Sequence, residues 1–264
     1  MYKKSDLRDL SNIIKWDLMK LKNQKIFLAM RLSWFIVQIT VFARVISLIV
    51  RGFTGFDYFE FYLLGIYSSL LYTSSISRGY VLADEFDSGI VEYHLSLPVK
   101  RSVLVIGRIL GSAISALLFT LPMMFVILII LKLITMVLEI IVSIITAFLF
   151  SIGVVSFVVL VVLRFKSGDA TDIFFGTIDA LLIRLSSVFY PLPIIARIAP
   201  YYYVALVNPI THFSDFIRII FIPEYVLYTL NPIGMVMYIL ALAIGLLVLL
   251  IDYYEKKLEA GSWK

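Results

Sequence analysis

Residues 103–131 read VLVIGRILGSAISALLFTLPMMFVILIIL, and almost every side chain in this run is apolar or small. A membrane-crossing α-helix needs about 20 consecutive, mainly apolar residues, and this run is longer than that. Its apolar residues are continuous rather than alternating, which excludes the pattern of a membrane β-strand. The run therefore predicts a helix that crosses a bilayer and starts before it reaches the hydrocarbon.

The whole chain shares this composition. Hydrophobic residues make up 61% of its 264 residues and the mean hydropathy is +1.00, whereas soluble domains average about 45–50% apolar residues. The chain has no cysteine, which excludes disulfides, thiol catalysis and cysteine-ligated metals. The net charge of +5 does not indicate a nucleic-acid partner, because in a membrane protein the positions of the cations are the useful quantity.

We predict an all-α polytopic membrane protein with six transmembrane helices. Residues 1–25 are polar and basic, so they are expected to form a cytoplasmic amphipathic helix rather than a removable signal peptide. Residues 26–252 form a single transmembrane domain, and residues 253–264 form a cytoplasmic tail. The predicted spans are residues 32–50, 58–77, 103–131, 138–163, 173–190 and 225–251.

The lysines and arginines orient these spans. They cluster in the N-terminal segment, after span two, after span four and in the tail, whereas the opposite side carries Arg51, Lys132, Arg197 and Arg218. The positive-inside rule therefore places both termini in the cytoplasm, in agreement with an even number of spans. We expect a multi-pass protein of the plasma membrane.

Two polar or irregular segments flank the spans. In the N-terminal segment, Leu7, Leu10, Ile14, Leu18 and Leu21 share one helical face opposite the charges, which is typical of a helix lying in the headgroup plane. The alternative is a helix packed on a soluble partner. Residues 191–222 are apolar but rich in proline, which indicates short outer re-entrant helices between spans five and six. A loop lying flat on the surface is the alternative.

The coupling region, residues 79–101, overlaps the polar stretch DEFDSGIVEYHLSLPVKRSVLVIGRIL, which covers residues 84–110. Its apolar spacing predicts a cytoplasmic helix over residues 80–95, in which Gly89 leaves room for a close neighbour. Pro98 ends this helix and makes a sharp turn.

Beyond the turn, Lys100 and Arg101 are expected at the headgroups. Gly107, Gly111 and Ser115 follow at four-residue spacing, which is typical of close helix packing. A force applied to this stretch in the cytoplasm would reach span three, whereas a solvated loop without a partner is the alternative.

This stretch contains E-x-x-x-G, L-S-x-P, an arginine and G-[KR], in that order. It resembles the coupling region of permease subunits of type-2 ATP-binding-cassette exporters. The matching residues are Glu85, Gly89, Leu95, Ser96, Pro98, Arg101, Gly107 and Arg108.

A second pattern is typical of the fifth span and outer re-entrant helices of the same family. It consists of a serine close before F-Y-P, then L-P, then N-P-x-[ST] and a later arginine, so the resemblance covers essentially the whole chain. The matching residues are Ser187, Phe189, Tyr190, Pro191, Leu192, Pro193, Asn208, Pro209, Thr211 and Arg218.

The resemblance implies that the permease pairs with a second copy or a paralogue. It also implies that each half docks a separate nucleotide-binding ATPase subunit, which holds ATP and Mg. This chain has no G-x-x-x-x-G-K-[ST] motif, so ATP hydrolysis is expected in the partner. The residues predicted to couple to the ATPase are Glu85, Gly89, Glu92, Pro98 and Arg101. The predicted outer re-entrant motif is Pro191, Pro193, Asn208 and Pro209.

Polar residues inside the predicted spans are Gln38, Arg44, Asp179 and Arg184. A charge at the bilayer centre costs roughly 2.5–3.5 kcal/mol on insertion scales, so such residues need a partner, an edge or a water-filled path. Arg44 is near enough to the outer end to reach it. Asp179 and Arg184 are deep in span five and form either a structural pair, within or between helices, or a polar patch on the translocation path.

Other functions have weaker support in the sequence. His94 and His212 lie on opposite sides of the predicted membrane, which argues against a metal site or a His-based hydrolytic centre. A membrane scaffold or assembly factor with the same fold, which does not pump, is the main alternative, and a membrane-embedded enzyme is a third. The walls of the inferred translocation cavity are apolar and aromatic, which favours an exported substrate that is amphipathic, lipid-like or peptidic.

Overall fold

The computed structural model describes residues 4–22, 25–50, 56–90, 93, 96–165 and 168–256. Throughout these residues the regular structure is helical, which confirms the predicted all-α class. A π-helical turn covers Gln38–Ala43, and a 3-10 helix covers Pro223–Tyr228. The α-helices are α1 (Lys4–Lys22), α2 (Lys25–Val37), α3 (Arg44–Val50), α4 (Tyr58–Asp87), α5 (Arg101–Ile130), α6 (Val137–Phe165), α7 (Gly168–Arg184), α8 (Leu192–Ile195), α9 (Ala199–Val207), α10 (Pro209–Phe221) and α11 (Pro232–Lys256).

Four stretches of the described chain are long and apolar enough to cross a bilayer. A fifth is added if α9 and α10, which are bent by 78° at their junction, count as one broken span. The predicted spans two and five correspond to α4 and α7, and neither helix meets these criteria. Helix α4 is rich in serine and tyrosine, and α7 has only 17 residues. The four stretches are Leu28–Ile49, Arg101–Ile130, Val137–Phe165 and Pro232–Lys256.

The composition of α4 is explained by its position at the centre of the bundle. It packs against α5, α6 and α10, and every residue from 61 to 70 is buried. Two of its hydroxyl groups find partners on its neighbours: the Oγ atoms of Ser75 and Ser151 lie 3.1 Å apart, and Ser74 Oγ lies 3.4 Å from the carbonyl oxygen of Ala116. A helix buried on all sides can therefore carry polar groups that one facing lipid could not.

The N-terminal helix α1 packs along α5. Its protein-facing side carries Asp6 and Asp17, both buried, whereas Leu7 is 61% exposed. The other residues of the predicted apolar face, Leu10, Ile14, Leu18 and Leu21, are half-buried, so this face is only partly covered by the protein.

The outer segment after α7 is built from short helices, as its prolines predict. Pro191 immediately precedes α8, Pro200 lies in the first turn of α9, and Pro209 begins α10. Proline fits the first turn of a helix because the amide it lacks has no intrahelical partner there. The sharp bend between α9 and α10 follows from this succession of helix starts.

Candidate functional site

The C-terminal end of α4 lies in the predicted coupling region. Ser88 N donates to the carbonyl oxygen of Asp84 at 3.0 Å, and Gly89 has a φ of +73°. The predicted continuous helix over residues 80–95 is therefore wrong, because the left-handed backbone at Gly89 interrupts it. A Cβ atom at Gly89 would meet no atom within 4 Å, so the glycine is required here by backbone conformation.

Past this break, Ile90, Tyr93 and Ser96 are helical. The predicted coupling residue Glu92 lies outside the described residues, as does His94. Pro98 is exposed in a bend, and Val99 N donates to the carbonyl oxygen of Leu97 at 2.7 Å. The chain then starts α5 at Arg101, which is exposed.

A charge cluster, defined as Asp17, Lys20, Glu85 and Arg108, joins three helices behind this bend. One terminal guanidinium nitrogen of Arg108 in α5 donates a hydrogen bond to Asp17 of α1, and the other donates one to Glu85 of α4. Lys20 of α1 also donates to Glu85, and its Nζ lies 3.8 Å from Asp17. Two buried carboxylates thus balance two cations.

The carboxylates of this cluster are turned away from solvent. Glu85 is 5% exposed and Arg108 is 4% exposed. The interpretation of Glu85 as a carboxylate facing the cytoplasmic partner is therefore wrong, because it is sequestered by Arg108 and Lys20. A coupling role for Glu85 must act through these neighbours and not by direct contact.

Trp16 closes the cluster on the α1 side. Lys20 Nζ lies 3.7 Å from the centroid of its indole ring, and the guanidinium carbon of Arg108 lies 4.7 Å from it. Each cation is thereby held against the electron-rich face of the indole. The aromatic ring and the two carboxylates together fix the position of the Arg108 side chain.

Two glycines of α5 allow α1 to come this close. A Cβ on Gly107 would lie 2.9 Å from Ile13 Cγ2, and a Cβ on Gly111 would lie 2.7 Å from Asp17 Oδ2. The close packing predicted from the four-residue spacing is found at both glycines, and the helix that approaches is α1. The spacing could not identify this partner, because it describes only one of the two surfaces.

The carboxyl group of Asp17 has a perturbed pKa. Burial raises this pKa to about 6, against the opposing effect of the nearby Arg108 and Lys20 charges. One of its oxygens, Oδ2, has no hydrogen-bond partner among the described residues, which adds to the cost of the charged form.

A second ion pair ties the bend to the start of α1. Lys100 Nζ lies 2.7 Å from Asp6 Oδ2. A buried carboxylate of α1 thus holds Lys100, whose side chain is still 53% exposed. Its expected position at the headgroups stays a prediction.

The polar residues predicted inside the spans have separate partners. Gln38 donates from Nε2 to the Tyr62 hydroxyl at 3.1 Å, and Asp179 accepts from the Tyr72 hydroxyl at 2.9 Å. Arg184 is exposed on α7, without an ion pair to Asp179 among the described contacts. The intrahelical pair considered for Asp179 and Arg184 is therefore not formed.

Arg44 is exposed at the start of α3, and its guanidinium carbon lies 4.2 Å from the centroid of the Phe59 ring. The face of an aromatic ring stabilises a cation at this distance. The expected access of Arg44 to the membrane edge stays a prediction.

Three residues of the second pattern, Ser187, Asn208 and Arg218, come together with Asp215, and these four residues are called the outer clamp. Arg218 is fully buried and pairs with Asp215 at 3.0 Å. Its Nε donates to the Phe61 carbonyl oxygen at 3.1 Å. Its Nη1 donates to the Ser187 carbonyl oxygen at 2.9 Å, and its Nη2 donates to the Val188 carbonyl oxygen at 2.8 Å.

The rest of the clamp joins α7 to α10. Asn208 caps α10 by accepting from Ile210 N, and its Nδ2 donates to the Leu182 carbonyl oxygen at 2.7 Å. Ser187 Oγ donates to Asp215 at 2.6 Å. The outer clamp therefore fixes the bent helices to α4 and α7. Pro191 and Pro193 lie at the start of α8.

Among the described residues, no group of three or more His, Asp or Glu side chains could hold a metal ion. His212 Nε2 lies 2.8 Å from the Leu206 carbonyl oxygen, and its ring stacks on Tyr238 with centroids 3.8 Å apart. These contacts give this histidine a packing role.

The sequence is matched by the family model described as ABC-2 family transporter protein, over residues 7–251. The chain belongs to the ABC-2 transporter family. No curated protein and no solved structure matches it. The match spans both the charge cluster and the outer clamp, so both lie within the part of the chain that the family model covers. ABC-2 membrane domains are permeases that normally work with an ATPase in a separate subunit, and this chain is a multi-pass membrane protein of that kind.

Proposed function

We propose that this chain is the permease subunit of an ATP-driven exporter. It forms the translocation path as a dimer, with a second copy or a paralogue, and is driven by separate ATPase subunits that hold ATP and Mg. The observation that carries this proposal is the charge cluster, because it connects the predicted coupling region to the membrane-spanning helices.

The cluster supports a mechanism of force transfer. Removing one partner of a buried ion pair typically costs about 3–5 kcal/mol, so α1, α4 and α5 resist separation where Arg108 joins them. An ATPase that displaces the segment between Gly89 and Pro98 would therefore move the ends of all three helices together. Since α5 is 30 residues long, the displacement would be carried across the bilayer.

The six-span layout supports the same mechanism. With α4 and α7 as spans two and five, both termini and the coupling region lie in the cytoplasm, as the distribution of cations favours. The charge cluster then lies on the cytoplasmic side of the plasma membrane and the outer clamp on the opposite side. The outer clamp would keep the outer ends of α4, α7 and α10 together while the inner ends move.

Support for a dimer comes from the exposed side of α7. Gly176, Ala180 and Arg184 recur there at four-residue steps, Thr177 adjoins Gly176, and all four are exposed. Small and polar side chains are typical of contacts between membrane helices, whereas lipid-facing positions are usually apolar. We assign this face to the second permease subunit or to the translocation path, and we propose an amphipathic, lipid-like or peptidic substrate.

Purification of the tagged full-length chain from its native membranes tests this function. We expect an ATPase with a P-loop to be recovered in equal amount, and ATP to drive substrate movement in vesicles containing the complex. Recovery of the ATPase without any ATP-dependent transport would favour the non-pumping scaffold. Failure to recover an ATPase would refute the proposal.

A further inference from the structure

A cavity of about 240 Å³ lies between α1 and the start of α5. Asp9, Asn12, Ile13 and Trp16 line it from α1, at positions that share one helical face. The opposite wall consists of Leu97 and Val99 of the bend and of two α5 side chains.

The buried part of the cavity lining combines an apolar side chain with a paired cation, whereas the more exposed part carries an amide and a carboxylate. Its inner end is formed by Leu104 and Arg108, which are 7% and 4% exposed, whereas Asn12 is exposed and Asp9 is half-buried at its outer end. The charge of Arg108 is already balanced by Asp17 and Glu85. The inner end therefore favours an apolar group, and the mouth offers a carboxylate.

We propose that this cavity receives one apolar side chain of the ATPase subunit, with a lysine or arginine of that subunit beside it contacting Asp9. This inference rests on the proposed function and adds a specific contact to it. An acidic mouth above an apolar interior is complementary to an apolar residue flanked by a cation, and such complementarity fixes register between partners. The volume of about 240 Å³ lies below the roughly 300–1,000 Å³ of usual small-molecule pockets, so the cavity is better matched to a single side chain.

The position of the cavity supports the same occupant. Leu97 and Val99 belong to the predicted coupling region, so a partner seated on that region lies next to the opening. A side chain inserted there would touch α1 and α5 together, directly beside the charge cluster. Buried anchors of this kind usually contribute most of the binding energy of an interface. A lipid acyl chain is the competing occupant and is an outcome of the test.

Filling the cavity gives the first test. With the tagged full-length chain in native membranes, we expect Val99→Trp to reduce the amount of recovered ATPase by about tenfold at equal permease abundance. Leu227→Trp is the matched control, because Leu227 is 78% exposed in the outer segment. Asp9→Lys changes only the mouth and should reduce recovery severalfold, whereas Glu224→Lys, an equal change of charge at an exposed outer position, should not.

Cross-linking gives the second test and does not depend on the folding of the tryptophan variant. The chain has no cysteine, so Asn12→Cys can be labelled alone with a maleimide that carries a photoreactive benzophenone. We expect illumination of the complex to join the permease to the ATPase. Cross-linking to lipid alone would overturn the inference.

The two levels of the proposal fail differently. If Val99→Trp and Asp9→Lys both retain the ATPase at the level of the unmodified chain, the cavity is not its docking site, although the proposed function stands. If the unmodified chain recovers no ATPase, the proposed function fails and the inference fails with it.

Discussion

Arg108 of α5 and Asp17 of α1 form a buried ion pair across 91 positions of sequence. This pair anchors a surface helix to a helix that spans the membrane. Because Arg108 also binds Glu85 at the end of α4, one guanidinium group determines the relative positions of three helices. The coupling of an ATPase to this permease should therefore depend on Arg108.

Replacement of Arg108 tests this dependence. We expect Arg108→Ala to destabilise the protein by about 3–5 kcal/mol, because two carboxylates lose their shared partner inside the protein. The variant should show a lower melting temperature in detergent and weaker stimulation of the ATPase. Arg164→Ala, at an exposed position near the end of α6, is the control. Equal melting temperatures for the two variants would contradict a structural role for the pair.

The carboxyl of Asp17 should make stability depend on pH. Its pKa is raised by burial to about 6, so the folded protein binds this proton more tightly than the unfolded chain does. Stability should therefore increase as the pH falls from 7 towards 5, by up to roughly 1.4 kcal/mol per pH unit, and decrease as the pH rises through about 6. Melting temperatures of the unmodified chain and of Asp17→Asn, measured across this range, should diverge. Parallel curves would show that Asp17 does not titrate there.

Gly111 should not tolerate even alanine. The added Cβ would lie 2.7 Å from Asp17 Oδ2, so α1 would have to move away from α5. We expect Gly111→Ala to increase protease cleavage within α1 and to reduce recovery of the ATPase. Gly245→Ala is the matched control, because a Cβ there meets no atom within 4 Å, and alanine should stabilise that helix by up to about 1 kcal/mol. If both variants behave alike, the close contact is unimportant.

The outer clamp offers a test that leaves the charge cluster unchanged. A Cβ on Gly65 would clash with the guanidinium of Arg218 and lie 2.7 Å from the Val188 carbonyl oxygen. We expect Gly65→Ala and Arg218→Lys each to destabilise the protein by several kcal/mol, since lysine cannot reproduce the planar set of donors. Arg197→Lys, at an exposed position, should leave the melting temperature unchanged. A normal melting temperature for Arg218→Lys would show that the fork of donors is dispensable.

Arg184 tests the face assigned to a second subunit. Because Arg184 is exposed and Asp179 is bound to Tyr72, Arg184→Leu should leave the fold of one subunit intact. We expect it to reduce dimer formation or transport, measured by size analysis of the purified complex and by vesicle uptake. Normal assembly together with normal transport would remove this residue from both roles.

The sequence predicts single surfaces better than it predicts their partners. The spacing of Gly107 and Gly111 predicts close packing, but α1 could not be named as the neighbour from that spacing alone. Asp17 looks like an ordinary polar residue of an amphipathic helix, and its pairing with Arg108 depends on tertiary packing. Gly65 likewise carries no signal of its role, because the buried Arg218 that requires it lies far along the chain.

Hydropathy misrepresents one helix for a physical reason. A window of sequence measures the preference of a helix for lipid, whereas α4 is surrounded by protein and bonds the hydroxyls of Ser74 and Ser75 to α5 and α6. Its low apolar content reflects this environment. Gly89 shows the converse limit, because periodicity predicted a continuous helix and the positive φ at one residue ended it.

The burial of α4 also has a consequence for biosynthesis. A helix rich in serine and tyrosine has a weak tendency to leave the translocon for lipid on its own. The partners that satisfy Ser74 and Ser75 lie in α5 and α6, which are synthesised later. As a membrane span, α4 would thus wait at the translocon until these helices emerge, and mutations in α5 or α6 would appear as errors in the topology of α4.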